Sequence, residues 1–198
     1  IVRDPNKTPQ TGDKSGMILF PAGLPEPVNC SGVAGRRGPL HVEIGIGRDT
    51  FLIELARANP EAICLGIEYS KERVRRVARK ISRTGITSIR LLCCEAAQGI
   101  HRFIPPGAVS AFYLFFPDPW PKKRHLKNRF LSPPSAQLLA TRLAPQGTFQ
   151  LKTDDRSLFL YMRAVMEKAP FFSNRYGTGA QAQPSDGSLH QTLYEKKW

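Results

Sequence analysis

From position 40 onward the chain alternates short apolar runs with amphipathic ones, and this alternation restricts its fold more than any other feature. Positions 40–44, 62–67, 88–94, 109–116 and 148–152 are predicted strands. Between them, Phe51, Leu52, Leu55 and Ala58 recur at helical spacing over 50–58, and short helices are predicted at 96–103 and 130–143. Pro133 and Pro134 fit the second of these only in its first turn or before it, because a proline ring clashes with a helix interior. Ser70 is placed to cap a helix on which Val74, Val77, Ala78 and Ile81 form one stripe, and Leu158, Tyr161, Met162, Val165, Met166 and Ala169 form another. Strands joined by crossover helices specify an α/β fold, a mainly parallel sheet covered on both faces. A possible last strand lies around 191–196.

Residues 1–39 do not share this pattern. They hold Pro5, Pro9, Pro21, Pro25, Pro27 and Pro39 with little apolar periodicity, and read as a Pro/Gly-rich, partly disordered arm before a domain at 40–198. The lack of an initial Met fits a trimmed or incomplete start.

Charge narrows the partner. Twenty-nine Lys and Arg against 16 Asp and Glu leave a formal charge of +13, which favours a polyanion such as nucleic acid. Much of it sits on the helix after Ser70, where Lys71, Arg73, Arg75, Arg76, Arg79, Lys80 and Arg83 make either a solvated face or an RNA-facing one. Cys30, Cys64, Cys93 and Cys94 lack metal-ligand spacing, which argues against structural zinc and a disulfide scaffold. No run approaches the roughly 18 apolar residues of a membrane span, and no signal-peptide pattern opens the chain, so a cytoplasmic protein is expected.

Two motifs carry chemistry. Glu43-Ile44-Gly45-Ile46-Gly47 occupies the first strand-to-helix turn, where glycines let a ligand approach the backbone, and Glu68 ends the next strand, where an acid can accept from ribose hydroxyls. With Glu95 ending the third strand, three strand ends would line one crevice for a nucleoside-containing cofactor. Thr50 stands where a dinucleotide fingerprint needs its third glycine, which disfavours a nicotinamide enzyme. The other motif is Phe115-Phe116-Pro117-Asp118-Pro119-Trp120-Pro121, followed by Lys122, Lys123, Arg124, His125, Lys127 and Arg129. It reads as an acid and an indole stiffened at a sheet's carboxyl edge beside cations, suited to a base attached to phosphates, or as a solvated proline-rich turn.

The segments VEIGIGRDTFLIELA, AICLGIEYS, FPDPWPKKRHLKNRF, LKTDD and TLYEKK, in this order and spacing, resemble the TrmB-type tRNA (guanine-N7-)-methyltransferases over about 40–197. The resemblance implies a Rossmann-like, doubly wound class I methyltransferase fold, S-adenosyl-L-methionine as cofactor and tRNA as substrate, with a guanine of the variable loop as target. No metal is expected, given the cysteine spacing, and the sequence leaves monomer or homodimer open. Glu43 with the Gly45 and Gly47 backbone would hold the methionine end of the cofactor, Glu68 its ribose, and Glu95 with Ala96 its adenine. Asp118 would close that pocket and act catalytically. Lys122, Asp154, Thr192, Tyr194 and Glu195 match positions for the RNA and the target base.

Departures from the family pattern are Asp49 in place of a third loop glycine, Glu95 in place of a shorter Asp or Asn, and Leu126 and Asn128 within the basic run. A rival enzyme reading relates Asp118-Pro119-Trp120 to loops that methylate exocyclic amines, although the second consecutive proline of those loops is absent. The rival outside enzymology is a non-catalytic RNA-binding subunit of the same fold.

Overall fold

A computed structural model describes residues 16–21, 37–47, 50–175 and 177. Most of the 1–39 arm, Asp49, and the terminal segment with Thr192, Tyr194, Glu195 and the possible strand at 191–196 lie outside the described residues. Within them, six strands form one sheet in the order β1-β4-β3-β2-β5-β6, with every pair parallel. The strands are β1 (Ile18–Leu19), β2 (Leu40–Ile44), β3 (Ile63–Glu68), β4 (Ile89–Cys93), β5 (Val109–Phe115) and β6 (Leu143–Lys152). The helices are α1 (Phe51–Ala58), α2 (Lys71–Ser82), α3 (Ala96–Phe103), α4 (Pro133–Arg142) and α5 (Arg156–Glu167), with a 3-10 helix over Lys123–Asn128.

The expected doubly wound architecture is therefore present. β3 is buried at every residue, as a central strand covered on both faces must be. One core unites Phe51, Leu52 and Leu55 of α1 with Val74, Val77 and Ile81 of α2 against one side of the sheet. The other unites Ile100 and Phe103 of α3, Leu139 of α4 and Leu158 and Met162 of α5 against the opposite side. The chain thus winds first along one face from β2 and then along the other, so that β2 and β5 flank the point where the winding reverses. In open α/β sheets, ligands bind beyond the carboxyl ends of strands at that point.

Local chemistry explains the boundaries. Ser70 caps α2 by accepting from the Arg73 backbone N–H at 3.4 Å, as the sequence predicts. The fully buried Ile81 is worth about 1.5–3 kcal/mol, whereas the exposed Arg76–Glu72 pair on the same helix is worth about 0.3–0.5, so packing rather than charge holds α2 in place. α4 begins at Pro133 rather than 130, because both prolines take its first two positions and Ser132 with Ser135 closes a capping box ahead of them. β6 starts at Leu143, five positions before the predicted strand, because Leu143 pairs with Val109 ahead of an irregular stretch where Gln146 has φ 64°. β1 arises inside the predicted arm, pairing Ile18 with Leu91 and Leu19 with Leu92. Gly66 in β3 is demanded by close packing, since a Cβ there would sit 2.5 Å from Leu52 Cδ1 and 2.6 Å from Ile46 Cγ2.

Candidate active site

Glu43, Gly45, Gly47, Glu68, Glu95, Ala96, Asp118, Lys122 and Asp154 all fall at or just beyond the carboxyl edge of the sheet. Glu43, 4% exposed, lies in register with Gly66 of β3 and Tyr113 of β5. Beyond it Gly45 and Gly47 have φ of 75° and 52°, a region open to glycine at no steric cost. The Gly45 N–H donates to the Ile67 carbonyl at 2.8 Å, which ties the glycine turn to the end of β3. A Cβ built on Gly45 would meet nothing within 4 Å. Glycine is required at Gly45 by its positive φ and not by crowding.

Glu68 is buried, and its two oxygens are separately engaged. Oε1 accepts the Ser70 backbone N–H at 2.9 Å, and Oε2 lies 3.7 Å from Arg73 Nη1. Next in the chain, Tyr69 is 72% exposed, an aromatic face on the rim beside a fixed carboxylate. Sequence periodicity passed it over. The signal was available, because the strand ends at Glu68 and no core awaits the next side chain. Glu95 is exposed and caps α3, accepting from Ala97 N at 3.0 Å and Gln98 N at 2.8 Å, with Ala96 opening the helix.

The turn after β5 is the most constrained part of the edge. The Phe116 N–H donates to the Lys152 carbonyl at 2.8 Å, and the Lys152 ammonium lies 4.9 Å from the Phe115 ring centroid. Phe116 and Trp120 have φ of 48° and 43°, positions where a bulky side chain costs on the order of 1–3 kcal/mol each. Asp118 sits between them, exposed. The Trp120 ring meets His125 edge-on at 5.6 Å, and His125 Nε2 accepts from Arg124 Nε at 3.1 Å. Lys122 and Arg124 are exposed. Arg129 is not part of that open run: its Nε donates to the Pro119 carbonyl at 2.9 Å and its guanidinium lies 4.6 Å over the Tyr161 ring.

Beyond β6, Asp154 is exposed, and the cap of α5 is its neighbour Asp155, which accepts the Leu158 N–H at 2.6 Å. The edge thus carries a glycine turn, two buried acids, an exposed aromatic side chain and three exposed carboxylates. Such a set suits the hydroxyls and base of a nucleoside together with a second, flat polar molecule. The described cysteines, Cys64, Cys93 and Cys94, belong to packing: burial pushes the Cys94 thiol up to about 12 and raises that of Cys93. Among the described residues no group of three or more His, Cys, Asp or Glu is arranged to hold a metal, and no helix is long and apolar enough to cross a membrane.

Comparison with known proteins gives the family. The family described as "Putative methyltransferase" matches residues 37–198. A protein of Chromohalobacter salexigens named tRNA (guanine-N(7)-)-methyltransferase is 39% identical over 140 residues, 71% of this chain and 57% of its own length. One of the same name from Alkalilimnicola ehrlichii is 35% identical over 182 residues, 92% of this chain and 75% of its own. The chain therefore spans just over half the length of the first relative and three quarters of the second. Among solved structures, that of "a putative methyltransferase from Thermoplasma acidophilum" is similar with a TM-score of 0.49 and 17% identity, covering 66% of this chain and 50% of that one.

Proposed function

The chain belongs to the methyltransferase family that includes the tRNA (guanine-N(7)-)-methyltransferases, and from that premise we propose that it transfers a methyl group from S-adenosylmethionine to N7 of a guanine in tRNA. The observation that supports the reading is an exposed Asp118 between two left-handed aromatic residues in the turn after β5, the strand that pairs with β2 ahead of its glycine turn.

S-adenosylmethionine supplies an electrophilic methyl on a sulfonium sulfur. The glycine turn with Glu43 would hold its methionine end, Glu68 its ribose, and Tyr69 with Glu95 and Ala96 would border its adenine. Glu68 and Glu95 each have backbone N–H partners that fix the carboxylate before any ligand arrives, so little ordering remains to be done on binding.

Guanine N7 carries a lone pair and no proton, so the transfer asks for alignment rather than a strong base. Positive charge passes to the imidazole half of the guanine as the new bond forms. Asp118, held rigid on a constrained turn, would stabilise that charge without reorganising. Asp154 lies at the end of the neighbouring strand and, with Asp155 taking the capping duty, its carboxylate would serve guanine recognition by accepting from N1–H and the exocyclic amine. Lys122 would meet tRNA phosphate, and Thr192, Tyr194 and Glu195 would complete the base site. The enzyme would work in the cytoplasm, without metal, as a monomer or homodimer, with residues 40–198 as its catalytic domain.

The test is incubation with radiolabelled S-adenosylmethionine and unmodified tRNA, followed by nucleoside analysis. Label in 7-methylguanosine is expected. Label on an exocyclic amine would replace this reading with the amine-methylating one, and tRNA binding without cofactor binding would replace it with an RNA-binding subunit.

A further inference from the structure

Arg129 ends the 3-10 helix of the basic run, the place where another phosphate-binding cation would be expected, yet it turns back on the protein. Its Nε donates to the carbonyl of Pro119 at 2.9 Å, one residue past Asp118. Its guanidinium lies 4.6 Å over the ring of Tyr161 in α5, and the Tyr161 hydroxyl donates to the Leu131 carbonyl at 3.0 Å. The turn that it reaches needs such a restraint, because Phe116 and Trp120 both hold φ values that bulky residues adopt only when their surroundings impose them. At the Phe116 end the restraint is the bond from its N–H to Lys152. At the Trp120 end, the bond to the preceding carbonyl is Arg129's.

We propose that Arg129, braced by Tyr161, is a positioning residue for methyl transfer: it fixes the Pro117–Trp120 turn and with it the direction of the Asp118 carboxylate. The inference rests on the proposed tRNA methylation. A planar guanidinium can donate along its edge while stacking through its face, and an ammonium cannot do both. Charge and geometry therefore separate cleanly at this position.

The experiment uses the full chain with Trp198→Phe, which leaves Trp120 as its one tryptophan. Arg129→Lys keeps the charge and loses the planar contact. It is expected to slow single-turnover methylation of tRNA roughly 10- to 100-fold, as misplacement of a catalytic group does. Affinities for tRNA and S-adenosylmethionine should stay within about twofold of the parent, since Lys retains the charge, and acrylamide quenching of Trp120 should rise. Tyr161→Phe, which keeps the ring and loses only the bond to Leu131, should stay near the parent, whereas Tyr161→Leu should behave as Arg129→Lys and stands in for it if the lysine variant does not fold. An unchanged rate or unchanged quenching in the variant overturns the proposal. A loss of tRNA affinity with the saturated rate intact also overturns it, by making Arg129 a phosphate contact. A parent that methylates no tRNA defeats the proposed function instead, and Trp120 quenching still reads the clamp in that case.

Discussion

The buried carboxylate of Glu68 accepts the backbone N–H of Ser70 at 2.9 Å, so the acid that ends β3 is locked to the residue that caps α2. A carboxylate fixed by the backbone presents its remaining lone pairs in one direction. Replacing Glu68 with Ala should therefore weaken S-adenosylmethionine by about 1.5–3 kcal/mol, the usual loss for hydrogen bonds to a charged group. Glu68→Gln, which can still accept from Ser70, separates cofactor loss from any loosening of α2. Calorimetry on both variants measures this, and wild-type affinity in the Ala variant would remove Glu68 from the cofactor site.

Lys122 and Arg124 project from a segment anchored at both ends, by the Pro117–Trp120 turn and by Arg129. Neutralising Lys122, Lys123 and Arg124 together should weaken tRNA binding and flatten its dependence on salt by up to about 2–3 in log–log slope, the release of up to three counterions. Cofactor affinity should not change. Filter binding between low and physiological salt reads the slope, and an unaltered slope would mean that these cations face only solvent.

Much of this architecture was legible because its causes are local. The stripe Val74-Val77-Ala78-Ile81 with Ser70 ahead of it specifies α2, and two prolines after Ser132 can only open α4. Strand ends were legible too, and with a parallel sheet they bring Gly45, Glu68, Glu95, Asp118 and Asp154 to one edge without further information. What escaped depends on partners distant in sequence. β1 is two residues long and exists through pairing with β4, and the early start of β6 requires Val109. The Arg129–Tyr161 contact spans α4 and leaves no period to detect. Between adjacent acids, the choice of Asp155 over Asp154 as cap is decided by backbone geometry that residue type does not reveal.

His41 gives the fold a pH response. Its ring stacks beside Tyr113 with Nδ1 2.9 Å from the hydroxyl, and burial lowers its pKa below the ordinary 6.5, with Glu61 opposing that shift. Because the folded state resists protonation, the unfolded chain binds the extra proton first as pH falls. His41 therefore contributes stability that is fully present above 6.5 and is lost progressively below it. Melting temperatures measured from pH 7.5 down to 5 should fall, and His41→Gln should reduce that fall. An identical pH profile in the variant would assign the response to other groups.

Asp118 should matter more for methyl transfer than for folding or for RNA affinity. It is exposed, so its removal leaves no cavity, and the turn around it is held by backbone bonds from Phe116 and to Pro119 rather than by its own side chain. Asp118→Asn preserves size and one acceptor oxygen while removing the charge, which isolates electrostatics from shape. If the carboxylate acts on the cation that develops on guanine, its loss should cost on the order of 10² to 10³ in the single-turnover rate, the scale of one preorganised electrostatic contact. Affinities for tRNA and cofactor should be nearly unchanged, because the charge being stabilised exists only as the methyl moves. An Asn variant as fast as the parent would reduce Asp118 to a loop-shaping residue and leave alignment alone to account for catalysis.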